Sequence, residues 1–211
     1  MKKFYIIGID DSRQQEFNPE VKAIVATHRV FSGGKRHYEL IHEHLPEQYI
    51  WIDITVPLDV VFEKYTSYSE VVVFASGDPL FFGFANTVRN RLPEAEIRVF
   101  PWFNSLQTLA HRLVMPYQDM EIVSLTGRPW HEFDRALIER KAKIGILTDR
   151  QHTPVAVAKR MLAYGYSGYR MTIGEMLGNA DEQVRTMELP EVAHSDFRFP
   201  NCLILEKITE R

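Results

Sequence analysis

The sequence predicts an α/β protein of two domains: a parallel-sheet N-terminal domain, a mixed-sheet C-terminal domain and a cleft between them. Three observations carry that expectation. Short apolar runs rich in β-branched residues alternate with helical patterns from Phe4 to Leu113, which is the pattern of βαβ units and a parallel sheet. The alternation breaks at Met115-Pro116-Tyr117-Gln118-Asp119 and then restarts. Beyond Gly165 three strand-like runs follow with no long helix between them, and short connections permit antiparallel pairing. These breaks place domains at 1–115 and 116–211, and a cleft between two such domains is a common ligand site.

Taken in order, Phe4 to Ile9 is a buried first strand that runs into a polar loop, Asp10 to Gln15. Pro19 to Thr27 is a helix with Asn18 as its cap. Arg29 to Ser32 is a short strand closed by Gly33-Gly34, and Lys35-Arg36-His37 opens a helix ending near Leu45. Tyr49 to Ile54 is a strand, and Pro57 to Tyr65 a helix with Thr55 as cap. The apolar run Val71-Val72-Val73-Phe74 is a strand. It leads into Ala75-Ser76-Gly77-Asp78-Pro79-Leu80-Phe81-Phe82-Gly83, where Asp78 suits an N-cap and Pro79 a first helical position. Glu96 to Phe100 is the next strand and Asn104 to Leu113 the next helix. In the second domain, Glu121 to Ser124 and Lys143 to Thr148 are strands, and Trp130 to Arg140 a helix. Thr153-Pro154 caps a helix reaching Ala163, which Gly165 ends. The last strands are Tyr169 to Ile173, Gln183 to Glu188 and Asn201 to Ile208.

Composition narrows the function. Of 211 residues, 45% are hydrophobic and 25% charged, ordinary for a globular protein, and the net charge of −3 gives no overall basicity for nucleic acid. No apolar run approaches membrane length. Cys202 is the single cysteine, so no intramolecular disulfide forms, which fits a reducing cytoplasm. It sits in a strand pattern, Cys202-Leu203-Ile204-Leu205, and reads as a buried structural thiol rather than a nucleophile. No Gly-x-Ser-x-Gly elbow, Walker loop or Gly-x-Gly-x-x-Gly follows a strand. The eight histidines form no zinc pattern; His42 and His44 are two apart and do not share a helix face.

What remains is a set of strand-to-helix turns. In an open α/β sheet, ligands bind beyond the carboxyl ends of strands, so Ser76 to Gly83 is a candidate site. Lys35, Arg36 and His37 bring three potentially cationic side chains to a helix start, which reads as an anion site or, equally, as a solvated turn. Arg128 in Leu125-Thr126-Gly127-Arg128-Pro129 reads as a surface arginine by itself. In Pro101-Trp102-Phe103-Asn104-Ser105 the aromatics read as packing and Asn104 as a cap.

Together and in order, these segments resemble the tetrapyrrole (corrin/porphyrin) methyltransferase family. Ser76 to Gly83 resembles its Gly-Asp-Pro loop, and Pro101 to Ser105 its Pro-Gly-Ile-Ser-Ser segment. Gly33-Gly34-Lys35-Arg36-His37 resembles the subgroup that methylates C5 of precorrin-7 in cobalamin synthesis. So do Pro116 to Asp119, Val123 to Arg128, Leu147-Thr148-Asp149 with Thr153-Pro154, Glu175-Met176-Leu177-Gly178, and Asp181-Glu182. The resemblance implies two α/β domains with S-adenosylmethionine as methyl donor in the cleft, usually in a homodimer. Carried over by position, Gly77, Asp78, Phe81, Asn104, Ser105, Leu147 and Leu177 become cofactor contacts. Lys35, Arg36, His37 and Arg128 become contacts for carboxylates of an anionic tetrapyrrole, to which arginine pairs bidentately. No general base is named by it.

The implied activity is C5 methylation of precorrin-7 or cobalt-precorrin-7. Longer relatives add a module that methylates C15 and decarboxylates a side chain, so a chain ending at Arg211 is expected to rely on a separate protein for that step. One loop departs from the family. Its Gly-x-Gly-Pro-Gly after the first strand reads Gly8-Ile9-Asp10-Asp11-Ser12 here, with more side chain and more negative charge. The alternative that follows is a tetrapyrrole- or S-adenosylmethionine-binding protein without turnover, or a methylase of another acceptor.

Overall fold

The computed structural model describes residues 1–11 and 15–208. The chain divides into two compact units, Met1–Asn104 and Ser105–Arg211, earlier than the 115/116 boundary expected from the connector. Of the polar loop expected over Asp10 to Gln15, Ser12, Arg13 and Gln14 lie outside the described residues.

The first unit holds a five-stranded sheet of β1 (Lys3–Ile9), β2 (Val30–Gly33), β3 (Ile50–Asp53), β4 (Glu70–Ser76) and β5 (Glu96–Phe100), in the order β3-β2-β4-β1-β5. Every pairing is parallel. All carboxyl ends therefore share one edge, and the chain leaves β1 towards β2 but leaves β4 towards β5. Divergent connections of this kind open a crevice at the carboxyl edge. Alternate residues of β1 serve two cores, as the period of a strand requires. Tyr5, Ile7 and Ile9 pack with α1 (Pro19–Thr27) and α2 (Lys35–Ile41). Phe4 and Ile6 pack with α3 (Leu58–Tyr65) and α4 (Phe84–Arg91). A short 3-10 turn, His42–His44, follows α2. Tyr65 is fully buried, and its hydroxyl joins the buried Ser32 hydroxyl, which reaches the Ile52 carbonyl. Burial pushes the Tyr65 phenol up to about 12, so it stays a neutral hydrogen-bonding group.

Two expected caps differ. Asn18 does cap α1, accepting from the Val21 amide at 2.9 Å, but α3 is preceded by Pro57, with no side-chain cap; Thr55 plays no such part. The helix after β4 begins at Phe84 behind Gly83, not at Pro79. Asp78 takes the Leu80 amide at 2.9 Å and its carbonyl takes the Phe81 amide at 3.0 Å. The local hydrogen bonds that make aspartate a good cap here close a separate turn instead. Phe82 follows at φ 55°, and the Ala85 amide reaches back to the Pro79 carbonyl.

The second unit holds β6 (Glu121–Ser124), β7 (Lys143–Leu147), β8 (Tyr169–Glu175), β9 (Gln183–Glu188) and β10 (Asn201–Lys207), in the order β6-β7-β10-β8-β9. Only β6 and β7 pair in parallel; the others are antiparallel. One face carries α6 (His131–Ile138), α7 (Pro154–Ala163) and the short α8 (Leu189–Val192) over a core of Ile144, Ile146, Met171, Ile173, Leu203 and Leu205. The other face takes α5 (Ser105–Arg112), which buries Leu106, Leu109 and Ala110. Gly145 and Gly174 let it approach: a Cβ at Gly145 would sit 3.1 Å from Leu106 Cδ1, and one at Gly174 3.0 Å from Leu109 Cδ1. That packing puts α5 with the second sheet, and so puts the division before Ser105. Thr153 caps α7 by accepting from the Ala156 amide. Among the described residues no helix is long and apolar enough to cross a membrane.

Candidate functional site

At the carboxyl edge of the first sheet, three loops meet through backbone. The Gly77 amide donates to the Ile9 carbonyl at 2.8 Å, and the Trp102 amide donates to the Gly77 carbonyl at 3.1 Å. Gly77 has φ 58°, a conformation open to glycine at little steric cost. Gly8 lies under this junction, where a Cβ would fall 1.9 Å from the Gly77 carbonyl oxygen. Asn104 closes the far side, its Cα 2.9 Å from where a Gly77 Cβ would stand, and it is buried. Trp102 and Phe103, expected to pack, are 41% and 54% exposed; the tight backbone junction beneath them leaves their rings outside. Leu80 and Phe82 are exposed on the neighbouring loop, and Phe81 is half-buried, edge-on to Phe82.

The Lys35 to His37 cluster reaches the same edge. Arg36 Nη1 donates to Asp11 Oδ2 at 3.2 Å, and its Nη2 donates to Ser76 Oγ at 2.8 Å. His37 Nδ1 accepts the Gly34 amide at 3.1 Å, and its Nε2 lies 2.9 Å from Ser76 Oγ. An amide can only donate, so Nδ1 is unprotonated and Nε2 carries the hydrogen. Burial first, and the Arg36 charge second, lower this imidazole from its usual 6.5 to about 4. His37 is therefore neutral near pH 7, so the cluster has two cations, Lys35 and Arg36. Lys35 is exposed. Burial raises the Asp11 carboxyl above its usual range, against the opposing pull of Arg36.

The lowered imidazole has a consequence for stability. The unfolded chain takes up this proton near the ordinary histidine value, which the folded chain refuses until about 4. Stability from this group is thus fully present above about 6.5 and is lost as pH falls through that window. His37→Gln is expected to flatten that loss, seen as a smaller fall in Tm between about pH 7 and about pH 5 than in the wild type.

The second unit gathers its share at one sheet edge. Ser124 and Leu147 end paired strands, Cys202 pairs with both Leu147 and Gly174, and Asn201 pairs with Glu175. Arg128 Nη1 donates to Ser124 Oγ at 2.8 Å and to the Thr126 carbonyl at 3.2 Å. Asp149 accepts from the amides of Gly127, Gln151 and His152, and from His152 Nδ1. Burial alone would raise this carboxyl; the amide hydrogen bonds outweigh it and hold it well below the carboxylate range. Asp149 thus ties the loop bearing Arg128 to the loop after β7. Leu177 packs beside Gly174 in the turn after β8. Ser105 hydrogen-bonds the buried Cys202 thiol, which burial pushes up to about 12, an inert group as expected.

Of the residues singled out, Lys35, Arg36, His37, Gly77, Asp78, Phe81 and Asn104 share the edge of the first sheet. Ser105, Arg128, Leu147 and Leu177 share the edge of the second. Sequence reasoning passed over Ser76 and Asp149 as site residues, although both stand inside quoted motifs. The available signal was position: each lies at or just beyond the carboxyl end of a strand, next to a charged or glycine-containing turn.

The profile of the Tetrapyrrole (Corrin/Porphyrin) Methylases matches residues 3–193. The chain is 35% identical over 184 residues to a precorrin-6Y C(5,15)-methyltransferase [decarboxylating] of Sinorhizobium sp, covering 86% of this chain and 44% of that protein. It therefore spans less than half the length of that relative. It is 24% identical over 203 residues to the cobalt-precorrin-7 C(5)-methyltransferase of Salmonella typhimurium, covering 96% of this chain and 98% of that one. The uroporphyrin-III C-methyl transferase of Thermus thermophilus, solved with S-adenosyl homocysteine, shares the fold with TM-score 0.71 and 19% identity, over 97% of this chain and 92% of that chain. On the match across residues 3–193, the chain belongs to the tetrapyrrole (corrin/porphyrin) methylase family.

Proposed function

We propose that the chain is an S-adenosylmethionine-dependent methyltransferase acting on C5 of a corrin precursor, precorrin-7 or its cobalt form, in cobalamin biosynthesis. The observation that supports it best is the meeting, at one sheet edge, of the Gly77 to Phe81 turn with the Arg36 and His37 side chains, joined through Ser76. Relatives named for this reaction point the same way. The donor chemistry of the edge fits a nucleoside sulfonium: tight glycine backbone at Gly77, and exposed rings of Trp102 and Phe103 that suit a purine face or a cation. Gly77, Asp78, Phe81, Asn104, Ser105, Leu147 and Leu177 would hold it. It would supply an activated methyl group on a good leaving group, so the chain needs no covalent nucleophile.

The task left to the protein is alignment of two bound reactants, a proximity effect. Arg36 and Lys35 orient the acceptor by its carboxylates, with Arg128 a further candidate. Asp78 is spent on the Leu80 amide and serves to shape the turn. A homodimer, a cytoplasmic location and a separate C15-methylating decarboxylase as partner belong to the same proposal. Sedimentation of the full chain tests the first of these.

The paired acids Asp10 and Asp11, which replace small family residues, favour a second reading: binding without turnover. Calorimetry with S-adenosylmethionine, followed by mass spectrometry of precorrin-7 incubated with both, separates the two. A product heavier by one methyl supports the first; binding without product supports the second; no binding of S-adenosylmethionine sinks the first. Replacing both cations, Lys35→Ala with Arg36→Ala, is expected to weaken acceptor binding by at least tenfold, on the scale of charged hydrogen bonds, and S-adenosylhomocysteine binding by less than twofold. Equal losses in the two titrations would return the cluster to a solvated surface turn.

A further inference from the structure

The Ser76 hydroxyl has a hydrogen-bonding state fixed by its neighbours. Arg36 Nη2 can only donate, and it lies 2.8 Å from Ser76 Oγ. His37 Nε2 lies 2.9 Å away, and because the Gly34 amide occupies Nδ1, Nε2 must be the protonated nitrogen. Two donors therefore fill both lone pairs of Oγ. The hydroxyl hydrogen is left for a third direction, and Ser76 is exposed. A serine normally both gives and accepts; this one can only give.

The surroundings say what it gives to. The neighbouring carboxylates already accept hydrogen bonds: Asp11 from Arg36, Asp78 from the Leu80 amide, Asp10 from Gln15 Nε2. Beside Ser76 stand the half-exposed Arg36 guanidinium, which has five N–H groups and uses one on each of these two partners, and the exposed Lys35. Among the described residues, the cations beside Ser76 are therefore Arg36 and Lys35, which suit an anionic ligand. We infer that Ser76 is a specificity-determining residue, a hydroxyl locked as a one-way donor to a carboxylate oxygen of the bound tetrapyrrole. This rests on the functional reading above. It adds a contact beyond the Lys35-Arg36 cluster, on the strand that leads into the Gly77 turn.

The test uses absorbance titration with uroporphyrin III, an octacarboxylic porphyrin, and calorimetry with S-adenosylhomocysteine. Ser76→Ala is expected to weaken porphyrin binding about tenfold, the scale of one hydrogen bond to a charged group. Ser76→Thr, which keeps the hydroxyl, is expected to stay within about twofold, as is S-adenosylhomocysteine binding by both variants. A second arm separates donation from mere support of Arg36. In an Arg36→Ala background, Ser76→Ala is expected to cost a further several-fold; no further loss would show that Ser76 acts only by holding Arg36, and would overturn the assignment. A wild type that binds and a Ser76→Ala variant that binds equally well would overturn it alone. A wild type that binds neither porphyrin nor S-adenosylhomocysteine would overturn the functional reading as well.

Discussion

Replacing Gly8 by alanine is expected to unfold the junction that the first sheet edge is built on. The added methyl would stand 1.9 Å from the Gly77 carbonyl oxygen and 2.7 Å from the Trp102 amide nitrogen. Both are backbone atoms in a chain of hydrogen bonds, Gly77 to Ile9 and Trp102 to Gly77, so neither can swing aside as a side-chain tip would. Overpacking in a dense interior typically costs about 1–3 kcal/mol, and a clash with fixed backbone belongs at or above the top of that range. For a protein of this size that is a fall in Tm of roughly 10 °C. Relief of the clash moves Gly77, so S-adenosylhomocysteine affinity is expected to drop at least tenfold on the proposed reading. Gly168→Ala is the control: nothing lies within 4 Å of its added methyl, and its effect is expected to stay within about 0.5 kcal/mol. Thermal melts and calorimetry of the two variants check both. A Gly8→Ala protein with wild-type Tm would mean that β1 can slide away from the Gly77 turn.

The same junction marks how far the sequence could be read. Buried strands were legible as apolar runs, as at Phe4 to Ile9, Val71 to Phe74 and Cys202 to Leu205, and the partly buried Glu96–Phe100, Glu121–Ser124 and Gln183–Glu188 also fall where expected. Caps with a single local meaning were legible too, as Asn18 and Thr153 were. Asp78-Pro79 was not, since the same two residues suit a helix start and a free-standing turn. What decides between them is the return of the Ala85 amide to Pro79 and the positive φ of Phe82, neither of which has a local signature. The two compact units divide earlier than the visible connector for a related reason. Pro116 is a visible breaker, but α5 goes to the second unit because Leu106 and Leu109 find Gly145 and Gly174, contacts across long stretches of sequence. At the site, Arg36 and His37 were visible as charge-bearing types beside glycines. Their geometry was not: His37 looks cationic in sequence and is neutral in place, because Gly34 and burial fix its protonation. The acidic Asp10-Asp11 loop looked hostile to an anionic ligand, yet Asp11 spends its charge on Arg36.

The second large effect is expected at Glu175, the last residue of β8. Its carboxylate is 1% exposed. Arg185 reaches Oε1 through Nε at 2.9 Å and Nη2 at 2.8 Å, and the Arg198 amide donates to Oε2 at 2.6 Å. Removing one partner of a buried pair strands a charge that water cannot reach, at a cost of about 3–5 kcal/mol. Arg185→Ala is expected near that range, because it also loses a bond to the Asp196 carbonyl and the stacking of its guanidinium over Phe197. Replacing both members, Glu175→Gln with Arg185→Met, is expected to recover most of the loss, since a neutral pair of similar volume leaves no charge to desolvate. The effect reaches the site through the chain itself. Met176 follows at φ 51° with its amide on the Pro200 carbonyl, and Leu177 comes next. If Leu177 is the cofactor contact proposed, Arg185→Ala loses S-adenosylhomocysteine affinity along with Tm, and the double variant regains both. An Arg185→Ala variant that loses Tm but, when folded, binds S-adenosylhomocysteine as the wild type does would assign the Glu175 pair to stability alone and remove Leu177 from the site.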